Sequence, residues 1–234
     1  MSGAAAEEAA GLLERWLAEW GLALPRERLE LLARLAGDVA AEGERWAITG
    51  VAGARENLRR NVLDSLLALA APEWWGGGEA LDLGSGAGFP GLALALVEEE
   101  RSWWLLEARR KKAAFLQREV EALGLAGRVR VVWGRAEERR TWLGLGGAEA
   151  APATFGRVTA RAVAPLKRLA GLSSGLLTRP GGLLFAYKGP GAEEELAEAE
   201  GGLRRERLLL LRRVEARLPE RGERRLLLVF RAEA

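Results

Sequence analysis

Between Leu81 and Gly91 the chain reads LDLGSGAGFPG: an apolar run broken by one acid, then four glycines and a proline within eight residues. No helix or strand interior tolerates that glycine density, because each glycine gives up packing and leaves the backbone unrestrained. The stretch fits the end of a buried strand, a tight turn that something approaches closely, and the start of a helix. From residue 79 onward short apolar runs alternate with helical stretches. Strands are predicted near 80–83, 102–106, 128–133, 155–160 and 182–187, and helices near 89–98, 109–123, 135–142, 163–178 and 192–200. Such alternation predicts a parallel sheet with right-handed crossovers and helices on both faces. RLLLLRRVEARL and ERRLLLVFRA, flanking PERG, predict an antiparallel hairpin that completes a seven-stranded sheet.

The first seventy residues follow another period. Leu12, Leu13, Trp16, Leu17 and Trp20 recur at helical spacing, as do Leu29, Leu32, Leu35 and Val39 behind Pro25, and Leu58, Val62, Leu66 and Leu69 predict a third helix over 54–70. Residues 1–70 are therefore expected to form a helical extension packed on a single compact domain of residues 71–234.

The 234 residues include no cysteine and no histidine. Disulfides, thiolate or imidazole metal sites, cysteine nucleophiles and triads built on histidine are all excluded, and no metal is expected. The beginning of the sequence has no basic region before an apolar one, and no run is long enough to span a bilayer, so a cytoplasmic protein without membrane contact is expected. Of 35 basic residues 31 are arginine, and of 33 acids 30 are glutamate. Arginine forks suit phosphate, yet the same skew follows from a restricted residue vocabulary dominated by Ala, Leu, Gly, Arg and Glu.

The loop itself narrows the ligand. Gly84, Gly86 and Gly88 form GxGxG, with Asp82 two residues before it. A dinucleotide fold more often shows GxGxxG and an apolar residue in place of the aspartate, because its helix must meet a pyrophosphate. S-adenosylmethionine carries a sulfonium and an amino group instead, so a carboxylate at this turn is electrostatically suited to it. Glu107 lies where the second strand gives way to a helix, the place from which an acid accepts from ribose hydroxyls; it also reads as an ordinary acid at a helix start. After the third strand, Ala136 and Glu137 in GRAEE fall where an adenine would lie, or begin a solvated helix.

These ordered pieces resemble the glucose-inhibited division B family, the bacterial 16S ribosomal RNA guanine-N7 methyltransferases. The resemblance rests on NVLDSLLAL, LDLGSGAGFPGLALAL, EARRKKAAFLQ, GRAEE, ARAVAPL, YKGP with EEEL, and GERRLLLV, which run from about residue 46 to 230. It implies a class I, Rossmann-like S-adenosylmethionine fold. Cofactor contacts are implied at Asp82, Gly84, Gly86, Phe89, Glu107, Ala108, Arg109, Ala136, Glu137 and Arg161, with Arg161 also facing the acceptor base as the catalytic residue. The implied substrate is one guanine of the decoding region, methylated at N7, in 16S rRNA, the 30S subunit or its assembly intermediate. Guanine N7 has a lone pair and no proton to lose, so a chain without histidine is suited to the reaction. Two positions depart from the family pattern: Asn61 and Arg225 stand where histidines are frequent.

For RNA contact the candidates are Arg55, Arg59 and Arg60 on the third helix, Arg109, Arg110, Lys111 and Lys112 after strand two, and Lys188 in YKGP; each cluster also reads as a solvated face. The paired tryptophans Trp74–Trp75 and Trp103–Trp104 either stack on bases or pack the sheet. A monomer is expected. Rival readings are a class I methyltransferase acting on another RNA or a small molecule, and an rRNA-binding assembly factor without turnover.

Overall fold

The computed structural model describes residues 3–138 and 154–234. Seven strands, β1 (Ala80–Leu83), β2 (Trp103–Glu107), β3 (Val129–Trp133), β4 (Arg157–Arg161), β5 (Leu183–Lys188), β6 (Leu208–Arg217) and β7 (Arg224–Ala232), form one sheet in the order β3-β2-β1-β4-β5-β7-β6. The first five strands are parallel, and the last two run antiparallel as predicted. β7 rather than β6 pairs with β5. The reason is legible in their side chains: Leu226–Phe230 are buried on both faces, whereas β6 buries only Leu208, carries four charged residues over Arg212–Arg217 and forms the edge.

Alternate strand residues feed two cores. Ala80, Trp103, Leu105, Phe185 and Val229 face α1 (Gly3–Glu19), α2 (Arg26–Trp46), α4 (Gly91–Val97) and α5 (Arg110–Ala122) in one continuous cluster. Leu81, Leu83, Trp104, Leu184 and Phe230 face α6 (Leu166–Ser174) and α7 (Ala192–Arg205). Trp103 and Trp104 thus pack opposite faces of the sheet, Trp74 is buried with Trp103, and Trp75 is exposed.

The third helix differs from its prediction as one regular element. It starts as α3 (Ala54–Asn57), widens to π-helical turns over Leu58–Leu63 and tightens to a 3-10 segment over Leu66–Ala70. The apolar residues still face the core, but the wide turns bring Arg59, Asn61 and Asp64 inward as well. Wide turns of this kind occur frequently at functional sites. The helix predicted over 135–142 is described only as one 3-10 turn, Ala136–Glu138, and its remainder lies outside the described residues.

Candidate active site

The order of strands reverses between β1 and β4, where ligands bind in open α/β sheets. Gly84, Gly86 and Gly88 leave β1 with φ of 68°, 59° and 101°, a conformation that side chains oppose. Asp82 is fully buried beneath this turn. Its Oδ2 accepts from the Gly91 N–H at 3.0 Å, and its Oδ1 from the Thr159 hydroxyl on β4 at 2.7 Å. Burial pushes its carboxyl up to about 6 against these hydrogen bonds. The expectation that Asp82 meets a ligand's positive charge is therefore corrected: covered on all sides, it pins the loop to α4 and β4.

Glu107 ends β2 beside the loop. Its Oε2 accepts from Gly86 N–H at 2.8 Å and its Oε1 from Arg109 N–H at 2.6 Å. A carboxylate offers four lone-pair sites, so two remain for hydroxyl donors. A Cβ placed on Gly86 would meet nothing nearer than the Gly84 carbonyl at 3.8 Å and the Lys112 ammonium at 4.0 Å. The turn thus floors an open cradle bounded by Glu107 and Lys112, and a ligand with hydroxyl donors and no bulk against the loop fits it. Lys112, expected at RNA, belongs here instead; burial lowers its pKa while the Glu107 charge opposes that shift. Gly134 N–H donates to the Glu107 carbonyl at 3.1 Å, which brings the end of β3 alongside. Beyond it Glu137 is half exposed and pairs with Arg168 of α6 at 2.7 Å, and the exposed Ala108 accepts the Trp133 indole N–H at 3.0 Å.

Arg161 is the last residue of β4 and is held on three sides. One terminal nitrogen donates to Asp64 Oδ2 at 3.0 Å and to the Arg60 carbonyl at 3.1 Å, and the other donates to Asn61 Oδ1 at 2.8 Å. The guanidinium lies 5.6 Å from the Phe89 ring centre. Arg225 Nε reaches the second oxygen of Asp64 at 3.2 Å, and Asn57 Oδ1 accepts from Asn61 at 2.7 Å. The two positions that depart from the family pattern, Asn61 and Arg225, therefore converge on one arginine and its carboxylate. Asp64 was not singled out from the sequence, although an acid inside the apolar repeat of NVLDS was the available signal.

A cavity of about 760 Å³ opens beside Arg161, lined also by Asp64, Tyr187, Lys188, Arg225 and the acidic first turn of α7. Lys188, expected as an exposed RNA contact, is 11% exposed and is bound to Glu195 at 2.8 Å and to the Ala164 carbonyl at 3.1 Å, so it shapes the cavity wall. Arg59 is corrected more sharply: its side chain is wholly buried, held by Glu56 and Glu223 and by the Pro219 carbonyl. It fastens the third helix to the β6–β7 turn and presents nothing to a phosphate. Arg60 and Lys111 keep exposed side chains, as do Arg109 and Arg110. Arg55 is exposed and paired with Glu220.

Among the described residues no three candidate ligands cluster to hold a metal, and no helix is long and apolar enough to cross a membrane. Solved structures with this fold include an O-methyltransferase family protein of Burkholderia thailandensis (TM-score 0.52, 15% identity, 74% of this chain and 56% of that one) and a B. subtilis tRNA methyltransferase (TM-score 0.52, 18% identity, 72% and 64%). These share the class I methyltransferase architecture. Two relatives named ribosomal RNA small subunit methyltransferase G are closer in sequence. The Moorella thermoacetica protein is 34% identical over 80% of this chain and 75% of its own length, and the Salinispora arenicola protein 43% over 74% and 68%. A family model described as rRNA small subunit methyltransferase G matches residues 28–221, a span that contains the glycine loop, Glu107 and Arg161 together. The chain belongs to that family of methyltransferases.

Proposed function

We propose that this chain transfers a methyl group from S-adenosylmethionine to N7 of a single guanine in 16S rRNA, acting as a cytoplasmic monomer on the 30S subunit or its assembly intermediate. The observation that carries the reading is that Arg161 lies against Phe89 of the glycine loop on one side and lines the neighbouring cavity on the other, with its guanidinium held by Asp64 and Asn61. Gly84 and Gly86 supply the floor of the cofactor site, Glu107 accepts from the ribose, and Ala108, Arg109, Ala136 and Glu137 border the adenine. Phe89 backs the Arg161 guanidinium. When bound, the cofactor supplies an electrophilic methyl group on a sulfonium.

The chain's own part is positioning and electrostatics. Guanine N7 attacks with its in-plane lone pair and needs no base, which agrees with a chain that has no histidine. Arg161, aimed by two side chains and a carbonyl, donates to O6 on the same edge of the base and leaves N7 free. The test is a labelled methyl-transfer assay on unmethylated 16S rRNA and on 30S particles, with the product mapped as N7-methylguanine. Methylation of one guanine, lost in Arg161→Ala, is the expected result. Cofactor binding with no transfer to either substrate would overturn the reading in favour of another acceptor or an assembly factor.

A further inference from the structure

Of the large apolar side chains that stand exposed among the described residues, three are tryptophans, and two of these flank a single helix start. Trp46, at the end of α2, is 58% exposed, and Trp133, at the end of β3, is 59% exposed. Consecutive residues of α5 reach them: the Lys111 ammonium lies 5.0 Å from the Trp46 ring centre and the Arg110 guanidinium 5.7 Å from that of Trp133. The order across the surface is ring, cation, cation, ring. Neither ring is there to fill a core, since an indole buried for packing is covered, as Trp74 and Trp103 are. The row is also fixed. Arg118 of α5 pairs with Glu42 of α2 at 2.5 Å, holding the two helices side by side, and the Trp133 indole N–H is anchored on the Ala108 carbonyl.

We infer that Trp46 and Trp133, with Lys111 and Arg110 between them, form a platform on which unpaired nucleotides of the RNA substrate stack beside the active site. Stacked bases supply planar faces to indoles, and the backbone linking them supplies the negative charge that Lys111 and Arg110 complement. A duplex offers no free base faces, so the platform selects single-stranded RNA. Its position follows from the fold: α5 begins immediately after Arg109, whose N–H is bound by Glu107, so the row starts at the rim of the cradle. The inference rests on the RNA-methyltransferase reading and adds to it a surface that begins at the rim of the cradle and does not include Arg161.

The test uses the full chain and a mixed-sequence single-stranded RNA of about twelve nucleotides, with a duplex of the same sequence as comparison, read by fluorescence anisotropy. Cofactor affinity and methyl transfer to 16S rRNA are measured in parallel. Each of Trp46→Ala and Trp133→Ala is expected to weaken single-strand binding by about 5- to 150-fold, the range of one lost base stack, while Trp46→Phe and Trp133→Phe recover most of it. Cofactor affinity of Trp46→Ala is expected to be unchanged. Lys111→Ala is expected to reduce the salt slope of binding by about 0.7. Unchanged single-strand affinity in the double alanine variant overturns the platform, as does an equal loss for duplex and single strand. A loss of 30S binding without a loss of oligonucleotide binding also overturns it and makes the surface a protein contact. Methyl transfer by the wild-type chain stands or falls independently of these outcomes, so failure of the platform is distinguishable from failure of the enzyme reading.

Discussion

At the scale of single residues, the site depends on close approaches that leave no room for substitution. A Cβ on Gly91 would lie 2.5 Å from Asp82 Cβ and 2.7 Å from a Leu105 methyl, so α4 is seated directly on β1 and β2. Gly91→Ala is expected to destabilise the protein by about 1–3 kcal/mol, the usual cost of overpacking, in urea denaturation, and to weaken cofactor binding because Asp82 holds the loop through that same N–H. Asp64 is the second such residue. It is nearly buried and faces two guanidinium groups, Arg161 at 3.0 Å and Arg225 at 3.2 Å. Replacing one partner of a buried ion pair leaves uncompensated charge, with a cost of about 3–5 kcal/mol. Asp64→Ala should therefore unfold more readily and lose turnover. Asp64→Asn keeps an acceptor for Arg161 and should fold, bind cofactor and show a lowered kcat with little change in KM for the cofactor. An unchanged kcat in Asp64→Asn would show that the aim of Arg161 does not depend on this charge.

Elements meet through ion pairs whose strength depends on pH and on who their partners are. Glu119 of α5 is the instructive case: Oε2 is buried without a hydrogen-bond partner, and burial, together with the nearby Asp38 and Glu42 charges, pushes its carboxyl up to about 7. A carboxyl raised by folding stabilises the native state below its ordinary range near 4.5 and loses that contribution as pH rises through about 7. Glu119→Gln is expected to be about 1–2 kcal/mol more stable than the parent chain at pH 8, with the difference vanishing near pH 4, in chemical denaturation at the two pH values. Arg59 makes the opposite bond. It holds Glu223 down to about 2 and joins the third helix to the β6–β7 turn. Arg59→Ala is expected to cost several kcal/mol of stability and leave the salt slope of RNA binding unchanged; a reduced slope would return Arg59 to the RNA surface. These cases mark what sequence could and could not show. The glycine loop, the acid Glu107 at the end of the second strand and every strand of the sheet were visible because spacing and hydrophobic period encode them locally, whereas Arg161 was reached only through the family resemblance. The burial of Arg59, the cover over Asp82 and the turn of Lys112 toward the cradle depend on contacts between distant segments, and no local pattern announces the π-helical turns that bring Asn61 and Asp64 to Arg161.

For the molecule as a whole, the helical beginning is part of the machinery rather than a cover laid over it. The core that contains Trp103, Phe185 and Val229 of the sheet continues without interruption through Leu58, Val62, Leu63, Leu66 and Leu67 to Leu13 and Leu29. The same third helix supplies all three oxygen acceptors that hold Arg161, and its Ser65 carbonyl accepts the buried Tyr187 hydroxyl of β5 at 2.6 Å. Removing residues 1–70 would uncover the apolar face of the sheet, leave the Tyr187 hydroxyl without its acceptor and strip Arg161 of its supports in one step. Each leucine lost from that face costs about 1.5–3 kcal/mol of burial, against a total stability for a domain of about 5–15 kcal/mol. A chain beginning at residue 71 is therefore expected to be insoluble or to lack a cooperative thermal transition. A chain beginning at residue 26, which lacks only α1, keeps the third helix and every contact to Arg161, and is expected to bind S-adenosylmethionine with lowered stability. Cooperative unfolding and cofactor binding by the 71–234 fragment would show instead that the sheet is a self-sufficient domain and that the helices only modulate it.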